Sequence, residues 1–217
     1  MKYNKKIIIA TPCAYGQLTM EYVSSLVETI KLAEENEIEI YPIFIGHDAL
    51  IQRCRNDLVK MAYESNVNAM VFIDADMEWN PQWVIDLVNR EEDVVGGTAR
   101  KKTDDAELYA CKLLDTTIHD NGLIKCAGIG TGFLKLSAKA ITALWEASEV
   151  YTTHRGECRM VFDVRVVAGE LWSEDIFMCV KLTESGLDIW VDPNMTCGHI
   201  GSKKYYGNLA EFIKIYK

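Results

Sequence analysis

Two aspartates, Asp74 and Asp76, close a short apolar run, Val71-Phe72-Ile73, that has the composition of a buried strand. Along an extended chain residues i and i+2 project to the same side. The spacing therefore predicts two carboxylates facing a crevice beyond the strand's end, with Ala75 between them leaving room for a ligand. Paired hard oxygen donors at such a place suit a divalent cation and the phosphates it carries. Spacing alone is weak support, because 14 aspartates in 217 residues make roughly one Asp-x-Asp expected by chance. A strand-ending acidic turn is the alternative.

Other side chains with chemistry stand in contexts of unequal strength. Glu174-Asp175 follows Ser173 at a helix start, where the dipole favours carboxylates with or without a function. His199 lies in Cys197-Gly198-His199-Ile200-Gly201, whereas His47, His119 and His154 have no comparable setting. Arg53 and Arg55 share one helix start, and either could be a solvated helix-end arginine. Lys101-Lys102 reads equally as a phosphate-steering pair or a solvated one. Gly128-Ile129-Gly130-Thr131-Gly132 looks superficially like a dinucleotide loop, but it lacks the full glycine fingerprint and leads into a strand. It suits a tight backbone beside a sugar or an acceptor. Tyr15 could equally stack on a base or pack on the surface; Trp172 could stack on a sugar face, although core packing is the commoner fate of tryptophan.

Composition bounds the classes. A formal charge of -9 argues against a non-specific nucleic-acid binder, since phosphates would be repelled. It leaves a nucleotide ligand open, because local groups and a metal decide that. Hydrophobic content of 49% and charged content of 25% are ordinary for one globular domain able to bury a core. The apolar run Ile7–Ala10 is too short for a signal peptide, and no later run approaches a membrane span. Seven irregularly spaced cysteines without a C-x-x-C predict reduced thiols in a cytoplasmic protein and no zinc cluster.

These residues need positioning elements, and the pattern supplies them. Strands are expected at 6–10, 37–45, 68–73 and 93–97, alternating with helices at 19–36, 51–65 and 81–90; Asn80-Pro81 is a strong helix start. The first strand should end at Thr11-Pro12. Alternating strands and helices imply a parallel sheet covered on both faces, a Rossmann-like half with its ligand beyond the strands' carboxyl ends. After Gly97 the rhythm changes to antiparallel pieces at 107–114 and 123–127, a strand after Gly132, and helices at 137–147 and 173–185. A short strand at 187–191 should turn at Asp192-Pro193, and a loop carrying His199 should lead to a helix from Tyr205 to Tyr216. The class is α/β, with a mostly parallel central sheet and a mixed second half. No linker or internal repeat divides the chain.

In their joint order these segments resemble the GT-A-fold glycosyltransferases, specifically the small kind found in phages and chlorella viruses. The resemblance rests on Arg55-Asn56-Asp57-Leu58-Val59, Phe72-Ile73-Asp74-Ala75-Asp76-Met77, Val95-Gly96-Gly97, Gly130-Thr131-Gly132-Phe133, Ser173-Glu174-Asp175-Ile176-Phe177 and Gly198-His199-Ile200-Gly201. It implies one GT-A domain, 1–97 binding the nucleotide and 98–217 the acceptor. It implies a hexosyltransferase-type activity that moves a sugar from a nucleoside diphosphate donor, a UDP-sugar, to a glycan or glycoprotein acceptor. Asp76, Asp74 and His199 would hold Mn2+ or Mg2+, with Asp74 toward the nucleotide and imidazole favouring Mn2+. Thr11, Pro12, Ala14, Tyr15, Arg55, Asp74 and Ala75 would bind the nucleotide, although Cys54 replaces the alanine usual before that arginine. Asp175, with Glu174, would face the acceptor, as general base if configuration inverts and as an orienting group if it is retained. By the same resemblance the chain would act in the cytoplasm, a host's if virus-encoded, without nucleic acid or a membrane span. A sugar-phosphate nucleotidyltransferase is the alternative enzyme, disfavoured because no glycine-rich loop with Arg and Lys follows the first strand. A non-catalytic nucleotide- or glycan-binding module is the alternative outside enzymes.

Overall fold

The structure, a computed structural model, describes residues 3–215. Strand β1 (Lys5–Cys13), helix α1 (Met20–Glu35), β2 (Ile38–Gly46), α2 (Ile51–Glu64) and β3 (Ala69–Ile73) open the chain. A short β4 (Met77–Glu78) precedes α3 (Pro81–Asn89) and β5 (Val94–Ala99). Then come β6 (Cys111–Leu113), β7 (Ile124–Ile129), β8 (Phe133–Ser137) and α4 (Ala138–Glu146). Two hairpins follow, β9 (Val150–Thr153) with β10 (Gly156–Arg159) and β11 (Arg165–Val167) with β12 (Glu170–Trp172). Helix α5 (Glu174–Glu184), the long β13 (Ile189–Ile200), β14 (Lys204–Tyr205) and α6 (Leu209–Ile215) complete it.

The central sheet has the order β2-β1-β3-β8-β5-β13-β7-β6. Strands β2, β1, β3, β5, β13 and β6 run one way; β8 and β7 run against them. Every residue of β3 is buried, and its side chains alternate between two cores. Met70 and Phe72 join Leu58, Leu144 and Leu182 under α2, α4 and α5, while Val71 and Ile73 join Tyr22, Leu26 and Leu87 under α1 and α3. Burial on both faces is why β1 and β3 read as continuous apolar runs rather than alternating ones. Thr19, Asn80 and Ser137 each cap a helix by accepting from Tyr22 N, Gln82 N and Ala140 N, a contribution of about 1 kcal/mol apiece.

Five expectations change. The strand after Gly132 does not extend the far half: β8 inserts antiparallel between β3 and β5. Strand β1 continues through Thr11-Pro12 to Cys13, because its pairing with β3 stops at Ala10 and Pro12 pairs only toward β2. Asp192-Pro193 is a bulge rather than a turn: Val191 faces Gly96 yet Thr196 faces Thr98, so the surplus residues loop out. Asp192 holds the bulge by accepting from Asn194 N and from Arg90, and proline is tolerated because the ladder is interrupted there. His199 is therefore on a strand, paired with Met77 of β4 and Tyr205 of β14. The last helix starts at Leu209, since Tyr205 belongs to that ladder; its expected end, Tyr216, lies outside the described residues.

Candidate active site

The stretch after β3 is not extended. Met77 N donates to Asp74 O at 3.1 Å, so Asp74 to Met77 form a tight turn and the two carboxylates diverge instead of sharing one face. The turn is fixed on both flanks: Asp74 N donates to Gly132 O (3.1 Å) and Ile200 N to Asp76 O (2.8 Å). The second bond, with the β4–β13 pairing, carries His199 to Asp76.

Asp74 turns inward. Its Oδ1 accepts from Arg55 Nη2 at 3.3 Å, while Arg55 Nη1 donates to Glu174 Oε1 at 2.6 Å. The Arg55 side chain is 7% exposed. Burial works against its charge, but Asp74, Glu174 and Asp175 outweigh that and raise its pKa. Arg53, the competing candidate, is bound at two positions to Asp48 (2.9 and 2.7 Å), so Arg55 is the arginine that reaches the site.

Asp76 turns outward. Lys102 Nζ donates to its Oδ2 at 2.5 Å, and His199 Nε2 lies 3.7 Å from the same oxygen. His199 Nδ1 is 2.9 Å from Arg100 O; a carbonyl only accepts, so Nδ1 carries a proton and donates to it, which turns Nε2 toward Asp76. Burial would raise the Asp76 pKa, but hydrogen bonds from His199 and Lys102 more than reverse it and lower the value.

Asp175 is set by the first turn of α5, where its Oδ1 accepts from Ile176 N (2.8 Å) and the Ser173 hydroxyl. Ser173 thus bonds Asp175 instead of capping the helix through its side chain.

Two spaces meet at this cluster. An outer groove of about 360 Å³ is lined by Pro12, Ala14, Tyr15, Ile51, Ala75 and Asp76. An inner cavity of about 120 Å³ is lined by Met77, Thr98, Lys101, Thr131, Asp175 and His199. Arg55 and Asp74 belong to both walls. Helix α1 supports the groove, since Thr19 N donates to Ala75 O at 3.1 Å.

Most of the sequence candidates come together here, with three exceptions. Thr11 is fully buried and its hydroxyl bonds Tyr22 Oη at 2.5 Å, behind the groove rather than in it. Glu174 lines neither space and serves as the counter-ion of Arg55. Trp172 pairs with Arg165 in the β11–β12 hairpin and lines neither space. Residues not singled out from the sequence are Met77 and Thr98, together with the hydroxyl of Thr131. The two glycines flanking Thr131 were the available signal.

Among the described residues no group of three or more His, Cys, Asp or Glu side chains converges as a ready cation cage. Asp76 and His199 form a two-donor set of mixed oxygen and nitrogen. That set fits a divalent ion whose remaining positions are filled by water and substrate phosphate, the usual arrangement for nucleotide-bound metals. The ammonium of Lys102 holds the position of a counter-charge at Asp76.

No family model and no curated protein matches the sequence. Solved structures do match. The crystal structure of A197 from STIV superposes with a TM-score of 0.57 at 15% identity, covering 94% of each chain. The crystal structure of TarS 1–349 from S. aureus aligns at 13% identity over 93% of this chain and 59% of that one, with a TM-score of 0.43. The chain has an α/β, GT-A-like fold. No helix among the described residues is long and apolar enough to cross a membrane.

Proposed function

We propose that this chain is a glycosyltransferase, taking a sugar from a nucleoside diphosphate donor, with a UDP-sugar as the first candidate, and passing it to a glycan or glycoprotein hydroxyl. The observation that carries the reading is the junction at Arg55 and Asp74. It links a groove with an exposed aromatic, Tyr15, to a small cavity that Asp175 helps to line. A nucleoside lies along the groove, its base against Pro12, Ala14 and Tyr15. The diphosphate lies at the Asp-x-Asp turn within reach of Lys101 and Lys102, and the sugar enters the cavity.

Asp76 and His199 would hold Mn2+, or Mg2+, with phosphate oxygens, and the ion would offset charge developing on the leaving diphosphate. Arg55 holds Asp74 in place and adds positive charge beside the phosphates. Asp175 also lines the cavity, where it orients the acceptor hydroxyl and takes its proton if configuration inverts. Glu174 positions Arg55.

Calorimetric titration with UDP and GDP, with and without Mn2+, together with UDP-sugar turnover, tests the reading. Asp175→Asn should retain nucleotide affinity and lose turnover by roughly a hundredfold or more. The reading is wrong if no nucleoside diphosphate binds under either condition, or if Asp175→Asn turns over like the parent.

A further inference from the structure

Helix α1 carries apolar residues on two sides. Tyr22, Leu26 and Ala33 turn inward and are buried, which accounts for one. The other is Met20, Val23, Val27 and Ile30, which remain 77%, 39%, 46% and 37% exposed. A helix on the surface of a globular protein ordinarily turns polar groups outward. Here the exposed apolar residues fall at i, i+3, i+7 and i+10, the a and d positions of two heptads, and so line one side of the helix as a seam.

The free edge of the central sheet lies next to this helix. Strand β2 ends the sheet order, with β1 as its neighbour. Its Ile38 and Ile40 pack in the core under α1 and α3, and its Ile43 and Ile45 in the other core. Alternation therefore puts Pro42 and Phe44 on the α1 side. Phe44 is 42% exposed and meets Tyr22 of α1 edge-on, with 6.4 Å between ring centroids. Pro42 has no N–H and sits mid-strand, which disfavours the addition of another strand to this edge. A partner is offered the helix seam and Phe44 instead.

Charge decides how a second copy of α1 would lie on this one. In a parallel pair the next a position sets Glu34 against Glu34. In an antiparallel pair Met20 of one copy faces Ile30 of the other and Val23 faces Val27, so every residue of both seams is matched. That register carries Glu34 and Glu35 past Met20 of the other copy, toward the N-terminal end of its helix, where the dipole favours carboxylates. On their own helix the same two residues stand at the disfavoured end, and its last turn has no basic residue.

We infer that this chain associates with a second copy of itself through α1, the two helices antiparallel and the contact two-fold symmetric. The inference stands apart from the transferase reading. Two heptads and Phe44 make a face smaller than the roughly 800 Å² per partner of a standard interface, so the association is of micromolar strength.

The test is sedimentation velocity on the full chain from about 5 μM to about 500 μM, a range that brackets such an affinity. The parent should pass from monomer to dimer across it. Val27→Glu should keep the parent's thermal midpoint at the lowest concentration and weaken association by about tenfold or more, because the seam would then bury carboxylates. Val27→Ser, a milder change at the same contact, should fall between the two. Mixing Val23→Cys with Val27→Cys under mild oxidation should give the mixed disulfide in excess of either self-linked product, since the antiparallel register brings those two positions together. A parent that stays monomeric throughout overturns the inference. So does a dimer that both Val27 substitutions leave intact, or an excess of the self-linked disulfides.

Discussion

Removing Glu174 should expose how strongly Arg55 depends on it. The guanidinium is 7% exposed, with a 2.6 Å contact to Glu174, a longer 3.3 Å contact to Asp74 and no partner at Nε. In Glu174→Ala the buried cation keeps only the long contact. Breaking a buried ion pair from one side costs about 3–5 kcal/mol, and the surviving Asp74 contact puts this case near about 3 kcal/mol. For a chain of this length each kcal/mol moves Tm by roughly 2–4 °C, so a fall of about 6–12 °C is expected. In an Arg55→Met background the cation is gone, and Glu174→Ala should cost about 1 kcal/mol or less. Urea unfolding of the four proteins gives the coupling directly, at about 2 kcal/mol. Losses that agree within about 0.5 kcal/mol in both backgrounds would refute the assignment of Glu174 as the counter-ion of Arg55.

Two further predictions concern the scaffold. The Asp48 side chain is 1% exposed and its carboxyl is held down at about 2, chiefly by the Arg53 hydrogen bonds acting against burial, with Leu50 N and Arg155 adding to them. Because that is below the unfolded value, its stabilisation is complete above about pH 4 and fades as pH falls toward 2, amounting to about 2–3 kcal/mol at neutral pH. The stability gap between the parent and Asp48→Asn should shrink below pH 4, and a gap that stays constant from pH 5 to pH 3 counts against this. Gly97→Ala would put a Cβ 2.3 Å from the backbone oxygen of Met195, whereas Gly132→Ala meets the flexible end of Met77 at 2.5 Å. Thermal unfolding should show a loss of about 3 kcal/mol for the first and about 1 kcal/mol for the second; equal losses would mean β5 and β13 can part more readily than their pairing suggests.

What the sequence revealed depended on how local the determining interaction was. Burial on both sheet faces writes itself into Ile7–Ala10 and Ala69–Ile73 as unbroken apolar runs, and caps at Thr19, Asn80 and Ser137 act within three residues. The place of β8 was illegible, because Leu134 and Leu136 would be equally apolar beside any neighbour, and sheet order is decided by pairing across some 60 residues of chain. The strand identity of His199 was hidden for a related reason: Asp192-Pro193 has turn composition, and only its bonds to Arg90 and Asn194 make it a bulge within a continuing strand. The places of Thr98 and Thr131 in the cavity wall gave no pattern at all, since the fold around them decides which residues line a space.

The Asp-x-Asp pair shows how structure separates residues that sequence leaves alike. The turn at Asp74–Met77 gives the two carboxylates partners of different standing. Asp74 is tied to a guanidinium that is itself buried and clamped by Glu174, and breaking such a cluster costs several kcal/mol. Asp76 pairs with Lys102 where both side chains are about one-third exposed, a contact worth at most about 1 kcal/mol. A charged ligand arriving at the junction therefore displaces the Lys102 contact long before it disturbs Arg55. Under the proposed function Asp74 would be the fixed reference of the site, and Asp76 the carboxylate free to exchange an ammonium for a cation while Lys102 turns to the phosphates. His199, with its Nδ1 proton committed to Arg100 O, stands ready beside that exchange without having to move.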